Sequence, residues 1–274
     1  MDIDVKSLEE KDDLKVGTKP VKAKPQPLQL TKENCWSMFP QIWCINLEDR
    51  LDRKQSSMAF FQKHQIPVEY FTAKRHAGGS EHGVFDSHIQ VMKRALEQDP
   101  DVSHVLIFED DVDMLNHPTA ETINDVRNFL NSTIKWDIFF LGAYPNIVFD
   151  RTKWVNGFSH IYKTHSQLSH AYVVSRSFME RMITVDYEVF CAPIDALYLL
   201  MPNNYAIFPT WFYQTDSPSD VSKQPRYNNF IRKMAVQFKG FYASTVNCPL
   251  IYILIVVIVI LVLIIFLLLY YLAK

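Results

Sequence analysis

The stretch "VLIFEDDVD", Val105 to Asp113, decides how the rest of the chain is read. Its apolar half has no polar alternation, as expected of a central strand covered on both faces. Glu109, Asp110, Asp111 and Asp113 then crowd the end of that strand, and like charges so close repel unless something positive sits among them. In open α/β sheets, ligands bind beyond the carboxyl ends of the strands. Clustered carboxylates there suit Mn²⁺ or Mg²⁺, hard cations held by one or two carboxylates together with substrate phosphate oxygens. The segment alone leaves a second reading open, a solvated acidic turn.

On either side, short apolar runs alternate with helical patterns. "QIWCINL" (41–47), "VEYFTA" (68–73), "HVLIFE" (104–109), "WDIFFLG" (136–142), "HAYVVS" (170–175) and "YAIFP" (205–209) read as strands. Helices are predicted over 51–65, with Leu51, Met58 and Phe61 on one side, and over 82–98, with Phe85, Ile89, Met92 and Leu96 at three-to-four spacing. "TAETINDVRNFLNS" and "RSFMERMI" read as two more. This alternation predicts an α/β fold: an open, mainly parallel sheet with helices on both faces.

The chain divides into four regions. Residues 1–36, rich in Lys, Asp, Glu and Pro, read as a disordered tail. Residues 37–228 form one globular domain, and 229–249 a juxtamembrane linker. Residues 250–272, "LIYILIVVIVILVLIIFLLLYYL", carry no charge, Gly or Pro. A helix of that length reaches roughly 35 Å, enough for a hydrocarbon core of about 30 Å, so a C-terminal transmembrane helix is expected. Arg232, Lys233 and Lys239 precede it, and the positive-inside rule then places the domain in the cytosol as a tail-anchored protein. The N-terminal stretch has no apolar core of a secretory signal. Cys35, Cys44, Cys191 and Cys248 show no metal-finger spacing and are expected as free thiols. With 28 Lys+Arg against 30 Asp+Glu, no basic field points to nucleic acid.

Read in order, "INLEDRLDR", "EHGVFDSHIQVMKRAL", "HVLIFEDDV", "KWDIFFLG", "HAYVVSR", "APIDALYLL" and "IFPTWFYQTDSPSDVS" resemble the landmarks of glycosyltransferase family 25. That family includes the bacterial lipooligosaccharide galactosyltransferases and the collagen β-galactosyltransferases. The resemblance spans about residues 42–222 and implies a GT-A fold, a Rossmann-type sheet that holds a nucleotide-sugar at its carboxyl edge with a metal on a DxD-type motif. It implies that Asp110 and Asp111 serve the metal and the sugar-nucleotide ribose, with Glu109 in support; Asp113 lies outside the matching positions and reads as a surface charge.

Asn46, Arg50 and Arg53 follow the first strand, where the family places its nucleotide-contacting turn. Two Arg three apart on a helix's first turns can face one phosphate; an ordinary solvated face accounts for them equally. Gly83, Ser87 and His88 match the family's "GxxGCxxSH" region, with Phe85-Asp86 as a departure, which implies that Ser87 or His88 contacts the nucleotide or donor sugar. Asp195 stands where the family's general base is expected, on the acceptor side; capping the helix "ALYLLM" is the other role open to it. Family members often carry a His near "TWFYQTDSPSDVSK", and this chain has none after His170, so either Asp216 or water completes a coordination shell or metal affinity is reduced.

Together these features predict a membrane-anchored transferase that moves a hexose, galactose or glucose, from a nucleotide diphosphate donor such as a UDP-hexose to a hydroxyl on a glycan, glycolipid or glycoprotein acceptor, with inversion. A binding or scaffold module that keeps the fold without turnover is the alternative. A phosphohydrolase using the same carboxylates lacks a nucleophile motif.

Overall fold

Side chains alternate across β1 (Gln41–Leu47), β2 (Glu69–Ala73) and β3 (His104–Glu109), three neighbouring parallel strands. Val105 and Ile107 point into one core layer and Leu106 and Phe108 into the other, all fully buried. A strand covered on both faces needs an apolar residue at every position, hence the unbroken run before Glu109.

The computed structural model describes residues 35–145 and 153–215, with 233, 234, 236 and 237. The stretch 1–34, the span 250–272, Asp216, Cys248 and most of the linker lie outside the described residues. Among the described residues, no helix is long and apolar enough to cross a membrane.

After β3 come β4 (Val112–Met114), β5 (Ile138–Phe140), β6 (Tyr144–Pro145), β7 (Lys153–Trp154), β8 (Ile161–Lys163) and β9 (Ser166–Gln167). β10 (Ala171–Ser175), β11 (Asn204–Ile207) and β12 (Phe212–Gln214) complete the strands. The main sheet has the order β2-β1-β3-β10-β5-β11-β8-β7, and two small sheets pair β12 with β4 and β6 with β9. β10 and β8 run against the other six strands of the main sheet.

The helices are α1 (Leu51–Lys63), α2 (Ser80–Gln98), α3 (Ala120–Leu130), α4 (Arg176–Met182), α5 (Tyr187–Phe190) and α6 (Ile194–Leu199). α2, α4 and α6 cover one face, through Phe85, Ile89, Met92, Phe178, Met179, Leu197 and Tyr198. Phe61 of α1 and Ile123, Val126 and Phe129 of α3 cover the other. Helices therefore lie on both faces, as the alternation predicts. α3 starts where Thr119 caps it, its hydroxyl accepting the Thr122 amide at 3.3 Å.

Two expectations need correction, and one strand direction is new. The predicted apolar side of α1 is split: Phe61 is 2% exposed, whereas Leu51 and Met58 are 69% and 53% exposed, because the face turned to the sheet runs through Ser57 and Phe61, and Ser57 bonds the Tyr70 hydroxyl of β2 at 2.8 Å. The folded part starts before residue 37, since Cys35 and Trp36 sit in a 3-10 turn (Cys35–Met38) and are both buried; Trp36 packs edge-on to Trp211 with ring centroids 6.3 Å apart. "HAYVVS" is a strand but an antiparallel one, inserted between β3 and β5. Cys35, Cys44 and Cys191 are free thiols, as expected.

Candidate functional site

β1, β2 and β3 are parallel, so their carboxyl ends share one edge of the sheet. β10 runs the other way, so its amino end arrives at that same edge: the Glu109 amide donates to the His170 carbonyl at 3.0 Å. Ser169 and His170 thereby meet the carboxylates from a segment sixty residues away in sequence. A purely parallel arrangement would have sent them to the opposite edge.

Asp110 and Asp111 form the turn between β3 and β4 and are only 7% and 8% exposed. The turn is fastened by the segment after β11. β4 pairs with β12, Val112 opposite Gln214 and Asp113 opposite Tyr213. The Thr215 amide donates to the Asp111 carbonyl at 2.7 Å, and Gln214 Nε2 donates to Asp111 Oδ2 at 3.2 Å. Asp113 is no loose surface charge: its Oδ2 accepts the Tyr213 hydroxyl at 2.8 Å and its Oδ1 the Met114 amide.

The positive group among the carboxylates is Arg53. Its Nη1 lies 2.9 Å from Asp110 Oδ1 and its Nη2 lies 3.4 Å from Asp111 Oδ2. Asn46, at the end of β1, donates from Nδ2 to Asp110 Oδ2 at 2.7 Å. Arg50 behaves differently. It precedes α1 with φ −95° and ψ 61°, outside helical geometry, and its guanidinium forks onto Asp52 at 2.9 and 3.0 Å. The three-residue spacing that predicts a shared ligand holds only inside a helix, so Arg50 and Arg53 part company.

Glu109 faces the other helix layer. Its Oε1 accepts the Ser169 hydroxyl at 2.5 Å and lies 3.5 Å from His88 Nε2. His88 Nδ1 is 2.6 Å from the Tyr172 hydroxyl, itself 2.9 Å from the Tyr198 hydroxyl. A buried polar chain thus runs from Ser169 through Glu109, His88 and Tyr172 to Tyr198 on α6. Ser87, next to His88, turns back to its own helix and donates to the Gly83 carbonyl at 2.6 Å. Asp195 lies three positions before Tyr198, hence on the same side of α6. Pro193 occupies the N-cap and gives no side-chain cap, and the Ala196 amide donates to the Pro193 carbonyl at 3.0 Å.

Charge is divided unequally over this group. Burial would raise the Glu109 carboxyl, but the His88 and Ser169 hydrogen bonds and the charges of His88 and His170 outweigh it and hold Glu109 below the ordinary carboxylate value. Asp111 carries the remainder: burial and the Glu109 charge push it up to about 7, against the pull of Arg53. Burial also raises Asp110, which Arg53 and Asn46 partly offset, and Asp195, where the Glu109 charge adds to burial.

The donor set fits a divalent cation. Asp111 Oδ1 and Asn46 Oδ1 are buried without a hydrogen-bond partner. Both are acceptor oxygens, so what each lacks is a donor or a cation. Asp110, Asp111 and Asn46 are the residues that would hold the ion.

The structure therefore brings Asn46, Arg53, His88, Glu109, Asp110, Asp111 and Asp195 to one edge, with Arg50 and Ser87 beside it and turned to local partners. Ser169, Tyr172, Tyr198 and Gln214 join them although none was singled out in the sequence; Tyr172, Tyr198 and Gln214 lie inside the landmark stretches "HAYVVSR", "APIDALYLL" and "IFPTWFYQTDSPSDVS", whereas Ser169 lies in none.

No known family model matches the chain, and no curated relative does. Among solved structures, the chain is similar to a glycosyltransferase involved in glycosylation of the major capsid of PBCV-1, with 10% identity over 73% of this chain and 100% of that one, at a TM-score of 0.38. It is similar to A197 from STIV, with 12% identity over 69% and 98% and a TM-score of 0.39. It is also similar to a Drosophila β-1,4-galactosyltransferase 7 mutant in complex with manganese, UDP-galactose and xylobiose, with 9% identity over 70% and 79% and a TM-score of 0.31.

Proposed function

We propose that the chain is a glycosyltransferase of GT-A type that moves a hexose from a nucleotide diphosphate donor, a UDP-hexose, to a hydroxyl acceptor with inversion. The observation that carries this reading is the buried Glu109-Asp110-Asp111 turn at the carboxyl edge of the sheet, with Arg53 forked across its two aspartates. The ordered motifs that resemble family 25 support it independently.

Mn²⁺ or Mg²⁺, when bound, supplies Lewis-acid stabilisation of the charge on the departing diphosphate. Everything else falls to the chain. Asp110 and Asp111 hold the donor side, and Arg53 keeps their carboxylates aligned at the end of β3. Asp195 acts from α6. As the acceptor oxygen forms its bond to the anomeric carbon, the bond from that carbon to the phosphate oxygen breaks and its electron pair leaves with the nucleotide. The hydroxyl proton passes to the Asp195 carboxylate. A carboxyl raised by burial is a better match to that task than an exposed one. Tyr198, three residues on, ties this helix through Tyr172 to His88 and so fixes the distance between base and carboxylate turn.

We further propose that residues 250–272 anchor the chain, with the domain on the cytosolic side and a glycolipid or envelope glycoprotein as acceptor. The charge-free apolar run and the basic residues before it support this.

The test uses the full-length protein in detergent, incubated with UDP-hexoses with and without Mn²⁺. Release of UDP and calorimetric binding of UDP are measured. Metal-dependent release supports transfer, binding without release supports the scaffold alternative, and neither binding nor release rules out the nucleotide-sugar reading.

A further inference from the structure

The turn between β2 and α2 assembles two imidazoles and a carboxylate that the reaction above does not use. His82 and Asp86 lie four apart on α2 and share a face, with His82 Nε2 3.5 Å from Asp86 Oδ2. His76, from the preceding turn, brings its Nε2 to 3.5 Å from the same oxygen. One ligand atom from each of the three residues lies within 4.8 Å of the others. A tetrahedral site with bonds of about 2.05 Å has ligand atoms about 3.3 Å apart, close to both His–Asp separations.

We propose that His76, His82 and Asp86 form a second metal site, for a first-row transition ion of the Zn²⁺ type, distinct from the Asp110–Asp111 turn. Two imidazoles and one carboxylate are the ligands such ions prefer, and the hard-cation site offers only oxygens. The surroundings are built for it. Glu188, from α5, lies 3.5 Å from His82 Nδ1, the position from which a carboxylate fixes the tautomer of a metal-facing imidazole. Tyr187 stacks on the His82 ring at 4.1 Å and 20°. A side chain at residue 78 would intrude, since a Cβ on Gly78 would sit 2.7 Å from His82 Nδ1 and 3.0 Å from His76 Nδ1. His76 and Asp86 keep solvent access, with side chains 36% and 42% exposed, so an ion can enter.

His76 Nδ1 accepts the Gly78 amide at 3.0 Å. A ring that binds metal through Nε2 carries its proton on Nδ1, so ion uptake exchanges this hydrogen bond for the metal bond. The exchange falls on an exposed turn where Gly79, at φ +103°, lets the chain adjust. The site joins the β2–α2 turn to α2, and Glu188 carries the link on to α5, just before the helix that bears Asp195.

The full-length protein in detergent is titrated with Zn²⁺ against a chromophoric chelator, and Co²⁺ is added separately to read its d–d absorption. Wild type is expected to bind one more Zn²⁺ than His82→Gln, with affinity at that site at least about a hundredfold higher, and Glu188→Gln to weaken it about tenfold. Asp111→Asn leaves the site unchanged. His76→Gln, in an exposed turn, gives the same loss as His82→Gln and guards against misfolding of the helix variant; circular dichroism checks both. Equal Zn²⁺ binding by wild type and both His variants overturns the proposal. The probe is the metal alone, so the result is independent of whether the chain transfers sugar.

Discussion

Arg53 Nη1 lies 2.9 Å from Asp110 Oδ1, and the same guanidinium reaches Asp111. With side chains 14% and 6% exposed, Arg53 and Asp110 form a nearly buried ion pair. Removing one partner of such a pair strands the other charge. Arg53→Ala is therefore expected to lower stability by about 3 kcal/mol, whereas Arg53→Lys keeps the charge, loses the fork and falls between. Urea unfolding of the three proteins measures both; an Arg53→Ala variant as stable as wild type would show that the pair contributes nothing.

Asp111 predicts a pH dependence of defined sign. Its folded pKa of about 7 exceeds the ordinary 3.8, so the folded state holds a proton that the unfolded state releases. The penalty is absent below about pH 4 and complete above about pH 7, and stability falls as pH rises through that window. Asp111→Asn removes the titrating group. In chelator at about pH 8 the variant should be more stable than wild type, on the order of 1–4 kcal/mol, and near pH 4 the difference should vanish. Equal urea midpoints at both pH values would contradict the assignment.

Asp195 separates chemistry from binding. Asp195→Asn is expected to leave UDP affinity within about twofold and to reduce transfer by about a hundredfold or more, the range for loss of a general base. Asp111→Asn should instead weaken metal-dependent UDP binding. Calorimetry and UDP release on the two variants decide, and the reverse pattern would exchange their roles.

Gly142 leaves room for His170. A Cβ at residue 142 would overlap His170 Nε2, and the His170 charge helps to hold Glu109 low. Gly142→Ala should cost about 1–3 kcal/mol. Thermal melting reads the effect; a variant matching wild type would show that His170 is free to move aside.

Much of this was legible in the sequence, for identifiable reasons. Val105 to Phe108 announce a doubly covered strand because both faces demand apolar residues, and Phe85, Ile89 and Met92 announce α2 because a helix repeats its buried face every three to four residues. Strand direction leaves no comparable trace: "AYVVS" reads the same parallel or antiparallel, and so the placing of Ser169 beside Glu109 could not be read. β4 and β12, three residues each, are too short to show a period, which hid Gln214 as the partner of Asp111. Arg50 and Arg53 look equivalent until the helix boundary falls between them.

The reversed strand also ties two properties into one. β10 is hydrogen-bonded to β3 on one side and β5 on the other, and its leading residues complete the carboxylate edge. Ser169 and His170 lead directly into β10, so the edge they complete is joined to the middle of the sheet. The Glu109 and Leu141 amides, bonded to His170 and Ala171, should therefore exchange with solvent only through global unfolding. In this chain, the precision of the ligand edge and the cohesion of the core are a single thermodynamic quantity.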